Sequence, residues 1–183
     1  GMNERGMEAV WDDNVQAIRQ GVGAAAIDTA DIAAVGLTGY GNGICFVDAD
    51  GSPTHNAVVS TDNRGQPFVT ECRENGVERQ IYALTKQGLW SAQFAPLLNW
   101  FARNRPEVLD RSASFLGIKD FVRLRLTGAA CMEVTEASSS GLMNSDTLEE
   151  DAARFAPVGA RGHFRLPPRP MRARCPGRRL PRG

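Results

Sequence analysis

Asp62 and Arg64 stand two apart in Ser60-Thr61-Asp62-Asn63-Arg64, after a run of extended character at residues 56–60. Side chains two apart on extended backbone project to the same side. A carboxylate and a guanidinium placed so can accept from and donate to neighbouring hydroxyls, as recognition of a polyol requires. The same spacing also suits a surface ion pair of little consequence for stability. A second constellation is the glycine-rich run Gly39-Tyr40-Gly41-Asn42-Gly43. A phosphate-binding loop of this kind needs a helix N-terminus after it, to aim backbone N–H groups at the anion. Here the apolar run Ile44-Cys45-Phe46-Val47 follows, which reads as a strand, so a dinucleotide site is disfavoured. Two readings stay open: a tight connection between adjacent strands, or a loop whose glycines let a substrate approach the backbone while Asn42 offers both donor and acceptor.

Other charged positions carry less. Lys119-Asp120 precedes an apolar helical run, where Asp120 reads as a helix-start carboxylate. Glu133 and Glu136 are three apart, as paired carboxylates or as solvent-facing charges on a short helix. Asp48 and Asp50 belong to a turn. Cys45, Cys72, Cys131 and Cys175 form no Cys-x-x-Cys pair, and His55 and His163 complete no metal-ligand set, so all four thiols are expected reduced and no residue is assigned as a metal ligand.

These residues need positioning elements. Val10, Trp11, Val15, Ile18 and Val22 recur at helical spacing and predict a helix over 7–27. Residues 32–38 are short and apolar and predict a buried strand, with a second strand at 44–47. Helices are predicted over 66–78, within 90–103 with Phe94, Leu97, Leu98 and Phe101 on one face, and over 107–110 and 119–126, the last closed by Gly128. A short strand is predicted at 114–117, a short small-residue segment at 135–140, and the start of a further helix at 148–155.

The 183 residues suffice for one domain with a core. No run of about 18 apolar residues is long enough to span a membrane, and the first residues lack the features of a signal peptide, so a cytoplasmic protein is expected. The zero net charge conceals two halves. Residues 1–151 hold all 21 acids and 12 of the bases, a net of −9, whereas residues 152–183 hold nine arginines, no acid and six of the ten prolines. Proline this dense prevents helix or central strand. The tail has almost no aromatic residue beyond Phe164, so a nucleic-acid arm is not expected.

Taken together, several stretches resemble one family. Ile32-Ala-Ala-Val-Gly-Leu-Thr-Gly-Tyr-Gly-Asn-Gly43 followed by Phe46-Val-Asp-Ala-Asp-Gly51 is similar to the strand pair and sugar-contacting loop of FGGY carbohydrate kinases. Ala57-Val-Val-Ser-Thr-Asp-Asn-Arg64 resembles the family's extended segment ending in Asp-x-Arg. Lys119-Asp-Phe-Val-Arg-Leu-Arg-Leu-Thr-Gly128 and Glu133-Val-Thr-Glu-Ala-Ser138 resemble two later family elements. The block Thr85-Lys-Gln-Gly-Leu-Trp90 is most similar to the L-xylulose and erythritol kinase branches. The resemblance covers residues 7–153 and implies an α/β fold: a partial ribonuclease H-like lobe of the actin-like ATPase type, with a mixed sheet and flanking helices. It implies phosphoryl transfer from ATP, with Mg²⁺, to a hydroxyl of a small-molecule sugar or polyol. It carries Tyr40, Gly41, Asn42, Asp62 and Arg64 over as substrate contacts.

The departures set further expectations. Neither the family's Asp-x-Gly-Thr loop nor its later catalytic aspartate is found in this sequence. No residue is therefore assigned as catalytic, most of the ATP and Mg²⁺ site is expected to lie outside the chain, and no turnover is expected. Residues 154–183 read as an out-of-frame or disordered tail, and self-association through exposed sheet edges is expected. A degenerate lobe that only binds sugar or a partner is the alternative.

Overall fold

A computed structural model describes residues 1–150, with the side chains of Glu149 and Glu150 left aside. Residues 151–183, including Cys175, most of the 148–155 segment and the whole arginine- and proline-rich tail, lie outside the described residues.

The elements run in chain order as β1 (Glu4–Arg5), α1 (Met7–Ala25), β2 (Cys45–Val47), β3 (Ala57–Val58), α2 (Gln66–Glu74), α3 (Val77–Thr85), α4 (Phe94–Asn104), α5 (Pro106–Arg111), β4 (Ser114–Leu116), α6 (Ile118–Thr127), α7 (Val134–Ser139), β5 (Met143–Asn144) and β6 (Glu149–Glu150). The central strands are short and join through antiparallel contacts. β1 lies against β3 with Glu4 opposite Val58. β2 lies against β4 with Phe46 opposite Phe115. A bridge between Ile44 and Val58, with both N–H···O distances 2.9 Å, links the two pairs. The expected mixed sheet is thus represented, among the described residues, by antiparallel contacts.

β2 is buried at every position. Its alternate side chains enter two cores, as period-2 geometry requires. Ile44 and Phe46 join Phe94, Leu97, Phe101 and Phe115 on the side covered by α2, α4 and α5. Cys45 and Val47 join Met7, Leu116 and Phe121 on the side covered by α1 and α6. Edge-on aromatic contacts, Phe46 to Phe101 at 4.7 Å and Phe94 to Phe115 at 5.6 Å, fix the larger core. Cys45, Cys72 and Cys131 are buried and in no disulfide.

Three predicted elements differ. Residues 32–38 form no strand. Their backbone groups make no ladder with any described strand, and Val35 and Leu37 are 55% and 37% exposed. Consecutive apolar residues specify a strand only when neighbours cover both of its faces, and no described element does that here. The helix expected over 66–78 is two helices, because Gly76 turns the chain at φ 76°. α3 then continues to Thr85, with Ile81 and Thr85 facing the core. The helix expected within 90–103 is present as Phe94–Asn104, preceded by a turn in which the Trp90 N–H donates to Gln93 Oε1 (3.1 Å). At the other end, Leu148 has φ 57° and Glu149–Glu150 pairs with Met143–Asn144, so the described part of the 148–155 segment is not helical. The helix over 119–126 is present and closes at Gly128 with φ 71°, as read from the sequence.

Candidate functional site

The glycine-rich run leaves an exposed stretch of chain and dives into the sheet at Gly43. That residue has φ 77°, and a Cβ on it would stand 2.5 Å from the Val58 carbonyl oxygen, so both conformation and contact demand glycine. Asn42, immediately before, also lies in the left-handed region at φ 68°, which asparagine tolerates better than most side chains. The N–H of Gly43 donates to the Ala92 carbonyl at 2.9 Å, and that of Asn42 to Glu136 Oε1 at 2.9 Å. The Asn42 side-chain oxygen is buried with no hydrogen-bond partner among the described residues. Tyr40 is half exposed, and partial burial raises its phenol above the ordinary tyrosine value.

Below the loop lies a charged cluster. Lys119 Nζ stands 3.0 Å from Glu136 Oε2, 3.5 Å from Asp120 Oδ2 and 3.6 Å from Glu133 Oε2. Arg123 approaches Asp120 Oδ1 at 3.3 Å. The cluster exists because the first turn of α6 and the start of α7 meet under the loop. Glu136 lies across the backbone of Gly117, where a Cβ would sit 2.7 Å from its Cδ. Burial raises the Asp120 carboxyl above its usual range, against the pull of Lys119 and Arg123. For Glu133 the raising effect of burial is outweighed by hydrogen bonds from the Thr135 hydroxyl and backbone N–H, and its carboxyl is lowered. A cleft of about 190 Å³ opens beside the cluster, walled by Arg5, Asn14, Leu37, Tyr40, Ile118 and Lys119.

Asp62 and Arg64 do project to one side, but that side is the protein interior. Their side chains are 0% and 1% exposed. Arg64 Nε and Nη2 donate to Asp62 at 2.9 and 3.0 Å, and Nη2 also reaches Glu4 Oε1 at 2.8 Å. The Asp62 carboxylate further accepts from the backbone N–H of Arg64 (2.8 Å) and of Asn3 (2.6 Å). The guanidinium stacks over Trp100 at 4.8 Å and Phe101 at 5.5 Å. Burial alone would raise the Asp62 carboxyl, yet the hydrogen bonds from Arg64 and Asn3 hold it below the ordinary range. The pair is therefore neither a surface ion pair nor an open recognition fork. It fastens β1 to the chain before α2, and Ser91 Oγ, donating to the Asp62 carbonyl at 3.2 Å, ties it to the segment that receives Gly43.

Thus Tyr40 lines the cleft, Gly41 and Asn42 follow it in the chain without lining it, and the Asp62 and Arg64 side chains turn away toward Glu4 and Trp100. Sequence reasoning missed Glu4 and Trp100 as partners and left Glu136 as either one of a pair of carboxylates or a solvent-facing charge, whereas it is buried. The one available signal was a glycine, Gly117, two residues before Lys119, marking a close approach.

The fold and the loop define a class, and comparison with known proteins places the chain in it. The sequence profile of the FGGY family of carbohydrate kinases, N-terminal domain, matches residues 1–168. The chain belongs to that family. It is 30% identical over 169 residues to a Pasteurella multocida protein named "Probable L-xylulose kinase", covering 92% of this chain and 35% of that one. It is 29% identical over 151 residues to the L-xylulose/3-keto-L-gulonate kinase of Escherichia coli, covering 82% of this chain and 30% of that one. Among solved structures, the ligand-bound xylulose kinase from Lactobacillus acidophilus superposes with a TM-score of 0.80 at 23% identity, covering 91% of this chain and 33% of that one. The last likeness concerns the fold, an actin-like ATPase lobe. The chain spans about a third of the length of the relatives it matches.

Proposed function

We propose that residues 7–153 are the sugar-binding part of the N-terminal lobe of an ATP-dependent carbohydrate kinase, acting on a small sugar or polyol in the cytoplasm. The observation that carries the proposal is the glycine-rich loop: Leu37 to Tyr40 line a cleft, and just after them the backbone turns to positive φ at Asn42, whose buried amide oxygen lacks a donor among the described residues. In this reading Gly41 and Asn42 contact sugar hydroxyls and Tyr40 lines the rim. Asp62 and Arg64, carried over as contacts from the family, serve the pocket by holding its wall, since their polar atoms are engaged inside the protein. Membership in the family, and relatives named as kinases of L-xylulose and 3-keto-L-gulonate, support the substrate class.

ATP and Mg²⁺ enter only through the family. The glycine-rich loop leads into a strand rather than a helix, and no group of three His, Cys, Asp or Glu residues among those described is placed to hold a metal. The described residues do not fit these groups, and no step is routed through them. The 183-residue chain is accordingly expected to bind sugar without turning it over. Calorimetric titration with L-xylulose and xylitol, with and without ATP, tests this. Saturable binding unaffected by ATP supports it, whereas ATP-dependent phosphorylation by the pure chain refutes the inactivity and absence of any binding refutes the pocket. The exposed apolar residues Val35 and Leu37 favour a second property, self-association. Sedimentation of a concentration-independent monomer would remove it. No helix among the described residues is long and apolar enough to cross a membrane.

A further inference from the structure

The cleft wall that carries Leu37, Thr38, Gly39 and Tyr40 is a strap held at its ends. At one end the Ile32 N–H donates to the Thr29 carbonyl at 3.3 Å. The next backbone group to find a partner among the described residues is the Asn42 N–H, which donates to Glu136 Oε1 at 2.9 Å. Residues 33–41 between them are exposed and make no hydrogen bond among the described residues. Backbone without partners keeps conformational freedom that a ligand must remove on binding. A tether beside the cleft removes part of that freedom beforehand and so favours binding without touching the ligand.

Glu136 is that tether. Gly43, bonded to the Ala92 carbonyl, fixes the entry into the sheet one residue further from the cleft, and Glu136 is the last group to hold the chain before the wall. Its buried carboxylate does two things at once: Oε1 takes the Asn42 N–H, and Oε2 stands 3.0 Å from Lys119 Nζ. One side chain of α7 thereby joins the loop to the first turn of α6. Lys119 lines the same cleft, and a Cβ on Gly39 would stand 3.3 Å from the Lys119 Cβ, so the strap also rests on the residue that Glu136 holds. The carboxylate reaches this position across Gly117, where a Cβ would meet its Cδ at 2.7 Å. A hydrogen bond to an ionised acceptor is stronger and more directional than a neutral one, which suits a single tether.

We propose that Glu136 is a positioning residue of the sugar pocket, acting through the Asn42 N–H and Lys119 to hold the wall at residues 37–40 in its binding geometry. The inference rests on the sugar-pocket reading above and deepens it.

The test separates position from charge. Glu136→Gln keeps an acceptor for the Asn42 N–H and loses the charge, while Lys119 retains Asp120 and Glu133. Gly117→Ala keeps every charge and displaces the carboxylate. Glu136→Ala removes both. Xylitol binding to the full 183-residue chain and to each variant is measured by calorimetry, and amide hydrogen exchange is followed at Tyr40 and Asn42 against Ile44 and Val58. Glu136→Ala is expected to weaken xylitol binding by about tenfold or more, the scale of one hydrogen bond to a charged group. Exchange at Tyr40 and Asn42 is expected to quicken while Ile44 and Val58 stay protected. Glu136→Gln is expected to recover binding to within about threefold of the parent, since the acceptor is kept. Gly117→Ala is expected to weaken it by about threefold or more, since overpacking moves the tether. Should Glu136→Ala fail to fold, Gly117→Ala and Glu136→Gln decide. A folded Glu136→Ala or Gly117→Ala that binds xylitol like the parent overturns the inference and leaves the pocket intact. Binding by Glu136→Gln as weak as that of Glu136→Ala or Gly117→Ala makes the effect one of charge and overturns it as well. Absence of xylitol binding by the parent chain overturns the pocket reading and this inference with it.

Discussion

Two polar constellations lie within one short stretch of chain, and they are built in opposite ways. The Asp62–Arg64 pair is closed: its charges answer each other, Glu4 answers the remainder, and aromatic rings cover the guanidinium. The Asn42 loop is incomplete: its backbone is fixed by Ala92 and Glu136, but its buried side-chain oxygen is left without a partner among the described residues. Polar residues that satisfy one another hold a structure together, and those held in place with a group left over are the ones available to a ligand. Residue type alone does not separate the two cases, whereas the census of partners does.

The comparison breaks most severely at Arg64. Arg64→Ala leaves Asp62 and Glu4 without their cation, and removing one member of a buried pair costs about 3–5 kcal/mol. Urea denaturation is expected to show that loss, with a much smaller loss for truncation of an exposed charge such as Arg79.

Gly117→Ala comes next. Its new Cβ falls on the Glu136 carboxylate, which must move, and overpacking of this kind costs about 1–3 kcal/mol. The specific readout is faster hydrogen exchange at the Asn42 amide, the donor that Glu136 holds, with exchange at Ile44 and Val58 less affected.

The acid limb of stability sharpens the contrast. Asp62 has a folded value below its ordinary 3.8, so its contribution is complete above that value and is lost as pH falls through the lower, folded one. Asp120 has a folded value above 3.8, so its ionisation is a cost in the folded state that protonation relieves as pH falls. Asp62→Asn is therefore expected to flatten the fall in stability on acidification below about pH 4, and Asp120→Asn to steepen it. Chemical denaturation from pH 7 to pH 3 reads both slopes.

Asn42→Ala is expected to cost only about 1 kcal/mol, from the left-handed backbone, while abolishing sugar binding. Tyr40→Phe is smallest, within about 0.5 kcal/mol in stability and weakening binding only modestly. A stability loss at Asn42 as large as that at Arg64 would erase the distinction between the two constellations.

Much of the fold can be read from the chain. The strand before Asp48, the segment leading to Asp62 and the helix stopped by Gly128 follow from apolar period and glycine placement, because burial and left-handed caps act locally. The failures share a cause. Residues 32–38 have the apolar run of a strand, but a strand is defined by its neighbours. Asn75-Gly76 divides what looks like one helix, because a single positive-φ residue overrides the pattern around it. In the site, the glycines and Asn42 announce a loop that admits a ligand. The burial of Asp62 and Arg64 is not visible locally, since it depends on Glu4 and Trp100, about 60 and 36 positions away. Glu136 is equally hidden, 94 residues from the amide it holds.

The central claim is that the Asn42 loop is where a sugar makes contact. The most direct measurement is an amide chemical-shift titration of the ¹⁵N-labelled chain with xylitol. Saturable shifts centred on Gly41 and Asn42, extending to Tyr40 and leaving Arg64 nearly still, are predicted. A spectrum that does not respond, or a response centred on Asp62 and Arg64 with the loop silent, contradicts it.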